Sequence, residues 1–397
     1  MSQESPRRLS PATLALHAGR SWSPERENSP ALYLTSSYVF ENAAQAQAVF
    51  AEKEAGNIYS RFTNPSVGQF EERLAAMEGG ERALGTASGM SAITTLFLSL
   101  LSAGDHVAVS RSVFGSTTNI VNTILPRFGI QTSRLPLADP QAWREAIRPN
   151  TRLMFVETPA NPTLELGDLA ALAEIAREHG VLLAVDNVFC TPYLQRPLEF
   201  GAHLVVHSAT KFIDGQGRVL GGAIVGERKL LSEKIFPFIR NTGPTLSAFN
   251  AWVLLKGLET LPTRMERHCD NADKIAHALN ESPELRGKVA FPGLPDHPQH
   301  ALAARQMRRF GSILCLELES RERAHAFMDR LQLATITANL GDSRTLVTHP
   351  ATTTHSRISA QDRQEAGVTE GLVRFSIGLE EADDILDDIR QALAAAS

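Results

Sequence analysis

The sequence predicts an α/β protein: a large domain on a mostly parallel sheet flanked by helices, followed by a smaller C-terminal α/β domain. Three observations predict this class. Short apolar runs such as residues 181–185 and 204–206 have the unbroken hydrophobicity of strands buried on both faces. They alternate with amphipathic helical stretches, as in residues 168–178, where Leu169, Leu172 and Ile175 share one side and Gly180 marks the stop. The chain has 397 residues, 43% of them hydrophobic, which is enough for a large core divided between two domains.

Composition excludes several function classes. Charged residues make up 21% and the net charge is -5, too acidic for a nucleic-acid binder. The densest basic cluster, residues 305–309, is expected to be one solvated face of a helix. Cys190, Cys269 and Cys315 are odd in number and widely spaced, with no CxxC pair. That argues against a disulfide framework and a zinc site, and fits a reducing cytoplasm. The first residues have no apolar core of a signal peptide. No apolar run reaches the ~18 residues of a membrane helix; residues 94–101 come nearest.

Taken in order, residues 1–61 are rich in Pro, Ser and Asn and are expected to form an irregular, extended arm. Tyr59 and Arg61 close it. Two apart on an extended segment, they share a face suited to an anion, and an ordinary surface loop fits the same spacing. From Ser66 the pattern turns helical, with Phe70, Leu74 and Met77 on one side, until Gly79 and Gly80 stop it. A strand then leads to Ser88, Gly89 and Met90 and an apolar helix over 92–101. The free N–H groups at that helix start suit a phosphate, although Ser-Gly is also a plain N-cap.

Residues 106–110 form the next predicted strand. Just past it stands Phe114, placed to stack on a planar ring or to pack in the core. Residues 152–157 form another strand, ending in a rigid polar turn that carries Asn161. The strand over 181–185 ends at Asp186. The strand over 204–206 runs through His207 and Ser208 to Thr210 and Lys211. Residues 215–222 are a glycine-rich turn before a strand over 223–226. A helix over 247–280, interrupted near Pro262, bridges to the second domain. There, strands over 312–319 and 372–377 and helices over 323–331 and 382–396 are expected. Arg374 interrupts the second of those strands. It either faces water or grips a carboxylate through its planar fork. Asn339 lies in a polar loop that lines a substrate entrance if the two domains face each other.

Asp186 and Lys211 are the decisive pair. Both close buried strands, and strand–helix–strand succession places parallel strand ends on one sheet edge. A buried lysine has its charged form disfavoured and becomes a nucleophile able to form a Schiff base with an aldehyde. A carboxylate, a lysine, the hydroxyls of Ser208 and Thr210, Asn161 and the Ser88 turn thus converge on one crevice. No GxxxxGK[ST] motif marks a nucleotide loop, and no ligand cluster marks a metal. Pyridoxal phosphate uses the whole set: lysine for its aldehyde, carboxylate for its ring nitrogen, donors and a helix start for its phosphate, an aromatic for its ring.

These residues are recognisable. Tyr59 and Arg61, Ser88-Gly89-Met90, residues 157–162, Val185-Asp186-Asn187, His207 to Lys211 and Arg374 occur in the order found in the pyridoxal-phosphate enzymes of cysteine and methionine metabolism, the transsulfuration family. The chain resembles that family along nearly its whole length. The resemblance implies the aspartate-aminotransferase-like fold (fold type I). It further implies an arm over 1–61 that contributes to a neighbouring subunit, a cofactor domain over 62–255 and a C-terminal domain over 256–397.

In the family's terms, Lys211 carries the cofactor and moves protons, and Asp186 holds the pyridinium. Ser88, Gly89, Met90, Ser208 and Thr210 bind the phosphate. Tyr59 and Arg61 reach the phosphate of a neighbouring subunit, which implies a catalytic dimer paired into a homotetramer. Asn161 touches the ring hydroxyl, and Arg374, with Asn339 and Asn161, receives the substrate. Phe114 keeps the stacking ring but lacks the hydroxyl many members carry there, which puts a proton role at 114 in doubt. Asn119 and Ser116, with the lack of long insertions, resemble the branch that takes O-succinylhomoserine and sulfide to homocysteine and succinate in methionine biosynthesis. A cystathionine γ-synthase, a γ-lyase and a non-catalytic binding protein on the same scaffold are the other expectations kept in view.

Overall fold

A computed structural model describes residues 9–396. Seven strands form the larger sheet: β1 (Arg82–Thr86), β2 (His106–Ser110), β3 (Gln131–Leu135), β4 (Thr151–Glu157), β5 (Leu182–Asp186), β6 (Leu204–Ser208) and β7 (Gly222–Gly226). Their order is β1-β7-β6-β5-β4-β2-β3. Strand β7 runs antiparallel to both of its neighbours; β3, β2, β4, β5 and β6 pair in parallel. The apolar runs read from sequence are therefore strands with both faces covered. Leu204 and Val206 face one core with Ile93, Leu96 and Phe97. Val205 faces the other, with Leu254 and Leu258.

Five strands form the smaller sheet: β8 (Val289–Ala290), β9 (Ile313–Glu317), β10 (Thr335–Ile336), β11 (Leu346–Thr348) and β12 (Leu372–Ser376). They are ordered β10-β11-β12-β9-β8. The helix Ala248–Asn280 connects the two bodies. Its first half buries Leu254, Leu258 and Met265 in one core, and its second half buries Ile275 and Leu279 in another. The expected interruption near Pro262 does not occur: the helix runs through it. The surrounding core outweighs the lost N–H.

The described part of the arm is also more ordered than expected, with two helices, α1 (Pro11–His17) and α2 (Ala43–Phe50). Both have legible caps. Ser10 precedes Pro11 at the first helical position, and Asn42 accepts from the Gln45 N–H at 2.9 Å. Residues 1–8, on which the signal-peptide expectation fell, lie outside the described residues. The basic cluster differs as well. The helix ends at Gln306, and Arg308 and Arg309 lie beyond it, both paired with Glu266. No helix among the described residues is long and apolar enough to cross a membrane.

Candidate active site

The C-terminal ends of β4, β5 and β6 form one edge of the large sheet. Glu157 and Asp186 are direct neighbours there, paired in parallel register. A cavity of about 210 Å³ opens above this edge. Ser88, Gly89, Met90, Phe114, Asn161, Asp186, Ser208, Thr210, Lys211 and Arg374 all line it. Residues at or just past the ends of five large-sheet strands, β1, β2, β4, β5 and β6, therefore meet Arg374 of the small sheet at one cavity.

Lys211 is not the last residue of its strand. β6 stops at Ser208, and Lys211 sits in the turn that follows, with its N–H donating to the Ser208 carbonyl at 3.3 Å. The turn points the amine into the cavity, where Nζ donates to Asn339 Oδ1 at 2.5 Å. Burial, and next the Arg374 cation, push its pKa down to about 8. More of the amine is thus neutral near pH 7 than for an exposed lysine. Asp186 is 6% exposed and accepts the Val188 N–H at 3.1 Å. Burial raises its pKa to about 6, against the Val188 N–H and His207, which lower it. A cation placed against this carboxylate would restore its charge.

The phosphate-type corner is built from backbone. Ser88 caps α4 (Gly89–Leu100) after α3 (Pro65–Glu78), accepting the Ser91 N–H on its Oγ at 3.1 Å. The first N–H groups of α4 face the cavity edge without intrahelical partners. A Cβ on Gly89 would come within 2.6 Å of Ser208 Cβ, so this position holds the helix start hard against the end of β6. Thr210 Oγ1 is tied to Gly221 through that residue's N–H at 3.0 Å.

Arg374 is 1% exposed on β12. Nη1 donates to Asn161 Oδ1 at 2.8 Å and Nη2 to the Asn339 carbonyl at 2.9 Å. Its buried Nε has no partner among the described residues. Burial lowers its pKa only to about 10, so it remains a cation. A buried guanidinium with a spare donor is suited to an incoming carboxylate.

Two predicted residues lie elsewhere. Tyr59 is 40% exposed, and Arg61 donates to the Arg240 carbonyl and stacks on Phe62. Arg61 lines a separate cavity of about 270 Å³. Sequence reasoning missed Glu157. Its carboxylate is 1% exposed and lines the Lys211 cavity. Burial and Asp186 push its pKa well up, against the N–H groups of Phe114 and Asn161 and the Arg374 charge. The available signal was an acid closing an otherwise apolar strand beside the one that ends in Asp186.

A family model described as Cys/Met metabolism PLP-dependent enzyme matches residues 12–394. The chain belongs to that family. Like its other members, it depends on pyridoxal phosphate, and the cavity fits that group: an amine, an acid, an aromatic ring and a helix start line one space. The O-succinylhomoserine sulfhydrylase of Pseudomonas aeruginosa is 53% identical over 384 residues, covering 96% of this chain and 95% of that one. The L-methionine gamma-lyase of Pseudomonas putida is 41% identical, covering 97% and 98%. A crystal structure from Campylobacter jejuni carrying N'-pyridoxyl-lysine-5'-monophosphate superposes with a TM-score of 0.93 at 35% identity, covering 97% of this chain and 100% of that one.

Proposed function

We propose that this family member is an O-succinylhomoserine sulfhydrylase. It exchanges the succinyloxy group at the substrate's Cγ for sulfide, and O-succinylhomoserine and sulfide give homocysteine and succinate. The observation that carries the reaction class is the half-buried Lys211 amine, its pKa near 8, in one cavity with Asp186 and Arg374. The choice of substrate rests on the 53% identical relative.

When bound, pyridoxal phosphate supplies an aldehyde and an electron-withdrawing ring. Lys211 is the residue to hold that aldehyde. With its amine free, Lys211 would take a proton from the substrate Cα and serve the second proton transfer at Cβ; a base so placed contributes ~10²–10⁴-fold. Asp186 would hold the ring nitrogen in its protonated form. Phe114 would stack on the ring, and Asn161 would meet its hydroxyl. Ser88, Gly89, Met90, Ser208 and Thr210 would hold the phosphate. Arg374, with Asn161 and Asn339, orients the substrate carboxylate. We assign cofactor binding to residues 62–255 and a C-terminal domain to residues 256–397.

The working unit in this reading is a homotetramer, a dimer of dimers in the cytoplasm. Tyr59 and Arg61 do not line the cavity of their own chain, and in this reading they serve a neighbour's phosphate. Val39 at 98%, Leu34 at 70% and Leu220 at 60% exposed leave apolar surface for a second copy to cover.

The test is product analysis of the holoenzyme with O-succinylhomoserine and sulfide, cysteine or no thiol. Homocysteine and succinate appearing only with sulfide support the reading. Cystathionine with cysteine would make it a synthase, and 2-oxobutyrate without thiol a γ-lyase.

A further inference from the structure

We propose that Glu157 is a positioning residue that fastens Phe114 and Asn161 to one carboxylate, so that the ring-facing aromatic and the Arg374 clamp are held as a unit. The proposal rests on the site reading above. It concerns a residue with no direct part in the proton transfers described.

The geometry is specific. Glu157 Oε2 accepts the Phe114 N–H at 2.8 Å, and Oε1 accepts the Asn161 N–H at 3.1 Å. Asn161 then accepts from Arg374 Nη1 through its side-chain oxygen. The two N–H donors come from different loops, one after β2 and one after β4. Neither loop has regular pairing at these positions. Glu165 adds a second stitch between the same loops, accepting from Ser112 Oγ at 2.6 Å.

The chemistry of the side chain matters here. Each of the two carboxyl oxygens accepts one backbone N–H, one from each loop, and these two bonds oppose the burial that raises its pKa. A glutamine offers one acceptor and one donor, so one backbone N–H is left facing an NH₂. An aspartate is one methylene shorter and cannot span both. In a buried site an unmatched N–H is expelled, and its loop moves with it. Asp186, the neighbouring acid, holds the Val188 N–H on its Oδ1 at 3.1 Å.

The experiment uses wild-type and Glu157→Gln holoprotein, with Phe114→Leu and the double variant. Three quantities are measured: the cofactor Kd, the visible circular dichroism of the bound cofactor, and KM against kcat for O-succinylhomoserine. Glu157→Gln is expected to raise cofactor Kd and KM each about tenfold, the equivalent of one lost buried hydrogen bond. It is also expected to weaken the dichroic band. The Phe114→Leu effect should shrink when Glu157→Gln is already present, since the ring is then displaced. Unchanged Kd and dichroism, or effects that simply multiply, would overturn the proposal. If Glu157→Gln does not fold, the Phe114→Leu and Asn161→Ala pair is tested in its place: coupled effects on Kd support the proposal and independent effects refute it. A wild-type protein that fails to hold the cofactor at Lys211 sinks the site reading instead, so the two failures are distinguishable.

Discussion

Arg374 Nη1 donates to Asn161 Oδ1 at 2.8 Å, which fastens β12 of the small sheet to the turn after β4 of the large one. The proposed substrate clamp is therefore shared between the two sheets. Its strength depends on a planar fork reaching two partners at once, the Asn161 side chain and the Asn339 carbonyl.

Arg374→Lys keeps the charge and loses the fork. Steady-state kinetics should show KM for O-succinylhomoserine raised about 10- to 100-fold, the range for one or two hydrogen bonds to a charged group. The kcat should change far less. A variant with unchanged KM would remove Arg374 from substrate binding.

The depressed pKa of Lys211 predicts how apoprotein takes up cofactor. The neutral amine dominates above about 8. The rate of cofactor capture should rise with pH and level off past that point, followed by stopped-flow absorbance. A lysine at the ordinary value of about 10.4 would still be gaining there. The sign for stability follows. Between those two values the unfolded chain binds more protons, so this group makes apoprotein stability rise with pH across that window.

Asp186 titrates with the opposite consequence for the ligand. Its carboxylate is protonated as pH falls through about 6 in the apoprotein. A protonated acid no longer attracts a pyridinium. Cofactor affinity measured by equilibrium dialysis should fall below that pH, and Asp186→Asn should show the weak affinity at every pH.

Gly89→Ala tests the phosphate corner. The added methyl group would come 2.6 Å from Ser208 Cβ and 2.9 Å from its Cα, so one of the two backbones must shift. Overpacking of this kind costs about 1–3 kcal/mol. The expected result is a lower melting temperature together with a weakened cofactor complex. Wild-type cofactor affinity would show that the helix start is not pressed against the ligand.

Subunit sharing is tested by complementation. Arg61→Ala and Lys211→Ala, each inactive alone, are mixed under conditions that exchange subunits. Restored activity is expected, because a hybrid dimer assembles one site with Arg61 from one chain and Lys211 from the other. No recovery despite proven exchange would place Arg61 with its own chain's site.

Much of this site was legible because it depends on where strands stop. The runs before Asp186 and Ser208 are apolar, and polarity returns at the edge where ligands bind. Arg374 stood out as the one charge in an apolar strand. What stayed hidden depends on contacts between distant segments. Glu157 looks like a strand terminus until Phe114 and Asn161 fold onto it. Continuity through Pro262 depends on a core that no local pattern reports. The helices at Pro11 and Ala43 carried ordinary capping signals, but the Pro, Ser and Asn content of the arm masked them. Tyr59 and Arg61 stayed ambiguous because their spacing fits a loop as well as an anion site.

The most direct test is borohydride reduction of the holoprotein, followed by protease digestion and peptide mass mapping. The pyridoxyl group should appear on the peptide containing Lys211 and be lost in Lys211→Ala. Label on another lysine, or a Lys211→Ala protein that keeps both label and turnover, would contradict the account.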